Sequence, residues 1–111
     1  MLNQVVLVGR LVRDPELRTT DSNKSVTTVT LAIPRSFKNM NGEYDTDFID
    51  CVLWENTAKS TSEYCKKGDI VGIKGRVQSR IVEKEEEKKY LTEIIAEKVT
   101  FLSSTSKKEN E

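Results

Sequence analysis

The order of its hydrophobic patterns most constrains this chain: strand-like segments stand before and after a single helix-like stretch. Leu2 to Val12 is rich in Val and Leu and is followed by the turn-forming pair Asp14-Pro15, which predicts a first strand. Thr19 to Ser25 is polar and reads as a loop. Val26 to Ile33 alternates Thr or Ala with Val, Leu and Ile until Pro34, which lacks an amide for the ladder and is expected to end the second strand. Ser36 to Thr46 carries Asn39, Asn41 and Gly42 with little apolar content and reads as a hairpin loop. A third strand follows from Asp47 to Trp54. Asn56 to Cys65 then spaces Ala58, Thr61 and Cys65 as one helical face and stops against Lys66-Lys67-Gly68, a cation-then-glycine ending. Ile70 to Val82 is a long fourth strand whose interior Gly72 and Gly75 predict bends or bulges. Glu83 to Lys89 is a charged tip, and Tyr90 to Leu102 supplies the fifth strand.

Three strands, one helix and two further strands, with no internal repeat, predict an all-β protein: a five-stranded OB-fold barrel with one short helix between strands three and four. A chain of 111 residues suits one domain that needs no disulfide or metal to hold its core. That domain is expected over residues 1–102, with 103–111 a short, polar, disordered tail. Such barrels often offer an open face and long loops to oligonucleotides or oligosaccharides, but a fold alone does not fix a function.

Composition removes several kinds of chemistry. With no His and only Cys51 and Cys65, the usual zinc sites and His-based triads cannot be built, so no metal or cofactor is expected. Asp45, Asp47 and Asp50 are close in sequence, yet Asp47 and Asp50 point to opposite strand faces and no nucleophile accompanies them, so the chain reads as a non-enzyme. Cys51 and Cys65 read as small buried hydrophobes. No run of 18 apolar residues and no signal-peptide pattern occurs, which predicts a cytoplasmic protein without a membrane partner. Eighteen cations balance eighteen anions, so net charge says nothing about a polyanionic partner.

Strand parity carries the functional reading. In strand three, Ile49, Cys51 and Leu53 form an apolar set suited to a barrel interior, which turns Phe48, Asp50, Val52 and Trp54 outward. In strand four, Val71, Ile73 and Val77 share one face, while Lys74, Arg76, Gln78 and Arg80 share the other. Side by side, these outward faces would combine aromatic rings with cations, as single-stranded nucleic acid requires: rings stack on any base and cations follow the phosphates. Arg35, Phe37 and Lys38, at the start of the next connection, would extend the track and add a third ring.

Blander readings compete at each position. A lone outward aromatic is commonly a subunit contact, and alternating cations are usually a solvated face. Two rings on one face beside a basic strand bring the functional reading level with the bland one. The chief rival is a protein-interaction OB module whose rings bury against a protein; an enzyme acting on nucleic acid is a third class, disfavoured by the missing His and metal ligands.

Taken together, NQVVLVGRLVRDPELR, VTLAIPRSF, FIDCVLW, SEYCKKGD, GIKGRVQSR and YLTEIIAEKV resemble the bacterial single-stranded DNA-binding proteins over most of the chain. The resemblance implies sequence-independent binding and protection of single-stranded DNA in replication, recombination, repair or DNA uptake. It places Phe37, Phe48 and Trp54 at three of the family's four stacking positions, and Val82, which has no ring, at the fourth. It also implies phosphate contacts for Arg18, Lys38, Lys66, Lys67 and Arg80, whereas Lys74 and Arg76 rest on parity alone. Family members often carry a polar or basic pair after the central aromatic, and Ile49-Asp50 here takes a cation from that path. Replicative members end in a flexible linker and an acidic tip that recruits partners. This sequence finishes in SSTSKKENE, so it resembles short, tail-less paralogues, or is a shortened form of a longer member, and tail-mediated replication partners are not expected. A homotetramer, a dimer of dimers joined through first strands, is the assembly the resemblance implies.

Overall fold

The Val-rich opening forms β1 (Val5–Leu11), shorter than the expected Leu2 to Val12. The computed structural model describes residues 1–103. Next come β2 (Arg18–Thr19), β3 (Ser25–Lys38), β4 (Tyr44–Trp54), α1 (Glu55–Tyr64), β5 (Ile70–Lys84) and β6 (Glu87–Ser103). The sheet runs β1-β5-β6-β4-β3-β2, and β1 returns to β3 through Arg10↔Ala32 and Leu11↔Leu31. That pairing closes the five long strands into the expected OB-fold barrel, with its helix between β4 and β5.

Alternation fills the barrel. Leu11 of β1, Val29 and Leu31 of β3, Cys51 and Leu53 of β4, Val71 and Ile73 of β5 and Ala96 of β6 form the core, capped by Ala58 of α1 and by Cys65. The helical spacing of Ala58, Thr61 and Cys65 is thus a buried face, as expected. Cys65 ends the helix by donating its amide to the Thr61 carbonyl, and Gly68, at φ 94°, takes the left-handed turn into β5 that a side chain would oppose.

Several element boundaries differ from expectation. The polar stretch after Arg18 contains the two-residue strand β2, which pairs with Val26 and Ser25. Pro34 does not end its strand: β3 continues through it, pairing Pro34 with Thr46. The reason is position. β1 meets β3 only at Leu31 and Ala32, so beyond them β3 has an open edge where a missing amide breaks no ladder. The connection read as a loop from Ser36 to Thr46 is therefore mostly ribbon, with Tyr44 paired to Lys38 across a short turn. At the other hairpin the charged tip zips up, since Lys84 faces Glu87 and Lys88 reaches Glu83 at 3.8 Å. Ser103, assigned to the tail, pairs with Ile70 as the last residue of β6. The rest of that expected tail, 104–111, lies outside the described residues.

Of the two glycines of β5, only Gly75 marks an irregularity. The register moves there from Lys74↔Lys98 to Gly75↔Ala96, leaving Glu97 over, and a Cβ at Gly75 would lie 2.2 Å from the Ile95 carbonyl oxygen. Just past this bulge β6 still pairs with β4 at Ile94 and Ile95, and beyond Ile94 the β5–β6 ribbon runs on without a further strand partner among the described residues. Val77, expected with Val71 and Ile73 in the interior, pairs with Ile94 at this exit and is 40% exposed. Among the described residues no helix is long and apolar enough to cross a membrane.

Candidate nucleic-acid interface

β4 presents the site. Its inward residues Cys51 and Leu53 are fully buried and fix the parity of the strand, so Phe48, 65% exposed, and Trp54, 40% exposed, both face outward. Cross-strand partners confirm one continuous face: Trp54 is opposite Val26, Val52 opposite Thr28, Asp50 opposite Thr30, and Phe48 opposite Ala32. Burial, with a smaller effect of neighbouring Asp50, pushes the Cys51 thiol up to about 12, and burial ahead of Asp69 raises Cys65 to about 11. Both thiols are accordingly protonated and inert near neutral pH.

The outward faces of β4 and β5 are not direct neighbours, because β6 lies between them and runs parallel to β4 through Cys51↔Ile94 and Val52↔Ile95. β6 thus adds Ile95 and Glu93 to the same face, opposite Arg76 and Gln78. Together these strands line a groove whose walls include Trp54, Val52, Thr28, Gln78, Arg80 and Ile95. Arg80 reaches it as expected, although its guanidinium is paired with Glu93. Arg76 donates to Gln78 Oε1 at 2.5 Å on the same ribbon. Lys74 stands apart, before the bulge, between Val6 of β1 and Lys98 of β6.

A second groove adjoins the first through their common residue Thr28 and is lined by Arg13, Asp14, Glu16 and Arg18. Arg18 is therefore brought toward the Trp54 groove. Lys66 and Lys67 follow the helix in a turn pinned to this region, where the Lys67 amide donates to Asp14 Oδ1 at 2.7 Å and the Lys66 amide to Asp69 Oδ2 at 2.9 Å. Arg13 was missed by parity because it lies in a turn. Its Nη2 donates to Thr30 Oγ1 at 3.0 Å, and the Thr30 hydroxyl donates to Asp50 Oδ1 at 2.5 Å. A cation thereby stands beside the outward carboxylate of Asp50, where the sequence had suggested only a lost positive charge.

The β3–β4 ribbon sorts its residues differently from the expected track. Arg35 is gripped by Asp47, with contacts of 3.0 to 3.3 Å, and pairs with Asp45 at 3.7 Å. Alternation sets Asp45 and Asp47 on the face opposite Tyr44, Thr46 and Phe48, so Arg35 is not grouped with the aromatic face. The Arg35 hydrogen bond holds the Asp47 carboxyl below its ordinary value, while Asp47 raises Arg35 in turn. Phe37 is 65% exposed within the register shift between Pro34 and Lys38, where strict alternation is broken. Lys38 places its ammonium 5.9 Å from the centre of the Tyr44 ring. Val82, which the resemblance sets at the fourth stacking position, is paired with Lys89 near the tip of the β5–β6 ribbon. Among the described residues no group of three or more His, Cys, Asp or Glu is arranged to hold a metal ion.

A closed OB barrel with open grooves, exposed rings and several cations on one side has the architecture of a single-strand nucleic-acid-binding module. The comparisons with known proteins agree. Residues 2–102 match the single-strand binding protein family. Single-stranded DNA-binding protein B of Bacillus subtilis is 50% identical over 103 residues, covering 92% of this chain and 91% of the relative. Single-stranded DNA-binding protein 1 of Lactococcus lactis is 50% identical over 94% of this chain and 70% of its own length, and single-stranded DNA-binding protein 3 of Listeria innocua is 51% identical over 94% and 66%. The chain belongs to the single-strand binding protein family.

Proposed function

We propose that this protein binds single-stranded DNA without sequence preference, through base stacking on Trp54 and Phe48 and phosphate contacts from the surrounding cations. The observation that carries this reading is the shared outward face of β4, where Phe48 and Trp54 both stand exposed and Trp54 lines a groove with Arg80 that adjoins a second one lined by Arg13 and Arg18. Stacking contributes about 1–3 kcal/mol per base and accepts any base, while Arg and Lys make affinity fall with salt. On this reading the protein covers the strand, blocks hairpins and shields it from nucleases, in the service of replication, recombination, repair or DNA uptake. Phe37, Lys38, Lys66 and Lys67 extend the contact on either side of the two grooves.

The edge of β1 supports an assembly of several copies. From Val5 to Gly9 this strand is paired on one side by β5 and has no strand partner on the other among the described residues, and its outward Val6 and Val8 are exposed. An open, apolar strand edge favours pairing with a second copy. A homotetramer, built as a dimer of dimers, would let one DNA strand engage several barrels and multiply modest contacts.

Equilibrium binding of oligo-dT, oligo-dC, mixed-sequence oligonucleotides and matched duplex tests the reading. Comparable affinities for the single strands and much weaker binding of duplex are expected. Binding restricted to one sequence, or equal binding of duplex, would overturn it. A protein-interaction module would bind none of them.

A further inference from the structure

We infer that Tyr44 is a further base-stacking residue, extending the DNA track along β4 past Phe48; the inference rests on the single-stranded DNA reading above. Tyr44 is 56% exposed and lies on the same strand face as Phe48 and Trp54, four and ten residues away along β4. At roughly 3.3 Å per residue, Tyr44 stands about 13 Å beyond Phe48. Three rings thus follow one another along a single strand.

The ring is held rather than loose. The turn that presents it is built on Asn39, whose Oδ1 accepts from the amides of Asn41 and Glu43 at 2.9 and 3.0 Å and whose Nδ2 donates to Asp45 Oδ1 at 3.0 Å. The Asn39 amide closes the turn on the Glu43 carbonyl at 2.7 Å. On the far face of the ribbon, Arg35 ties β3 to Asp45 and Asp47. Both neighbours of Tyr44 in sequence are therefore anchored, so little ordering entropy remains to be lost when a base docks. Lys38 attends one side of the ring with its ammonium. A base on the ring's remaining face would stack on a partly pre-organised cation–π pair, with the same ammonium available to the adjoining phosphate. The position compensates for Val82, where a ring is missing at the other end of the site.

The test uses the full chain and oligo-dT. Binding by the wild-type protein, followed by quenching of Trp54, reports on the underlying reading and is measured first. Tyr44→Ala is expected to weaken binding at least about fivefold at fixed salt, the lower end of one stacked base. Tyr44→Phe should restore most of that loss. In a Trp54→Phe background, Tyr44→Trp places the sole indole at the proposed contact, and its fluorescence is expected to be quenched by oligo-dT. Wild-type binding with undiminished affinity in Tyr44→Ala, or an unquenched indole at position 44 in protein that still binds, would overturn the inference alone. A change in oligomeric state with per-subunit affinity intact would assign Tyr44 to a subunit contact and overturn it as well. Failure of the wild-type chain to bind would overturn both readings.

Discussion

Charge pairing at single residues tempers the interface. Arg80 lines the Trp54 groove but is neutralised by Glu93, so under the proposed contact a DNA phosphate would have to displace that carboxylate. Arg80 is exposed and Glu93 half-buried, and a surface pair is worth about 0–1 kcal/mol. Glu93→Gln is therefore expected to tighten oligo-dT binding up to several-fold at low salt and to steepen the salt dependence by about 0.7 in the log–log slope, the share of one freed cation on a single strand. Affinity unchanged or reduced across all salts would place Arg80 outside the contact. Asp47 gives a pH prediction. Its carboxyl is held below the ordinary 3.8 by the hydrogen bond from Arg35, so the clamp is fully formed above that value and is lost only as pH falls through the lower, folded value. A carboxyl-carbon NMR titration should place the Asp47 midpoint below 3.8; a midpoint at or above it would mean that Arg35 is not held in solution. These residues were only partly legible in the sequence. Alternation turned Phe48 and Trp54 outward without knowledge of the fold, because Cys51 and Leu53 could only face the core. The pairing of Arg80 with Glu93 and the placing of Arg13 beside Asp50 needed strand order, which local patterns do not contain.

The two hairpins are where element boundaries and strain meet. Gly75 sits at the bulge of the β5–β6 pair, next to the β6 residues that join β4, with no room for a Cβ against the Ile95 backbone. Gly75→Ala is expected to cost roughly 1–3 kcal/mol or more, read as a lowered midpoint in urea denaturation, whereas Gly72→Ala meets only ordinary contacts and should cost less. Equal effects would remove the bulge from the explanation. At the tip of the same ribbon, Glu85 and Glu86 both hold positive φ, at 52° and 67°, a conformation that Asn-Gly adopts with less strain. Replacing Glu85-Glu86 with Asn-Gly should slow hydrogen exchange of the flanking amides from Val82 to Lys88; unchanged or faster exchange would contradict the turn geometry. The lengths of these ribbons escaped sequence reading for a common reason. Polar, charged or Pro-containing segments look like loops, but across a hairpin Lys84 and Glu87, or Lys38 and Tyr44, stabilise strands that no core supports.

At the level of the whole molecule, eighteen cations balance eighteen anions, and acids also stand within the grooves, Glu93 on Arg80 and Asp14 and Glu16 among Arg13 and Arg18, so local placement rather than net charge decides the fit to a polyanion. The order of patterns, three strands, a helix and two strands, was enough to indicate the OB barrel, and closure of β1 on β3 completes it. The short strand β2 was not legible, since two residues carry no periodicity. The central claim is that Trp54, the only tryptophan, lies under the bound strand. The most direct measurement is its fluorescence during titration with oligo-thymidine and with matched duplex, each at two salt concentrations. Quenching by the single strand, with affinity falling as salt rises and little response to duplex, is the expected result. Tight single-strand binding that leaves Trp54 unquenched, or binding indifferent to salt, would contradict stacking on this face with phosphate contacts around it.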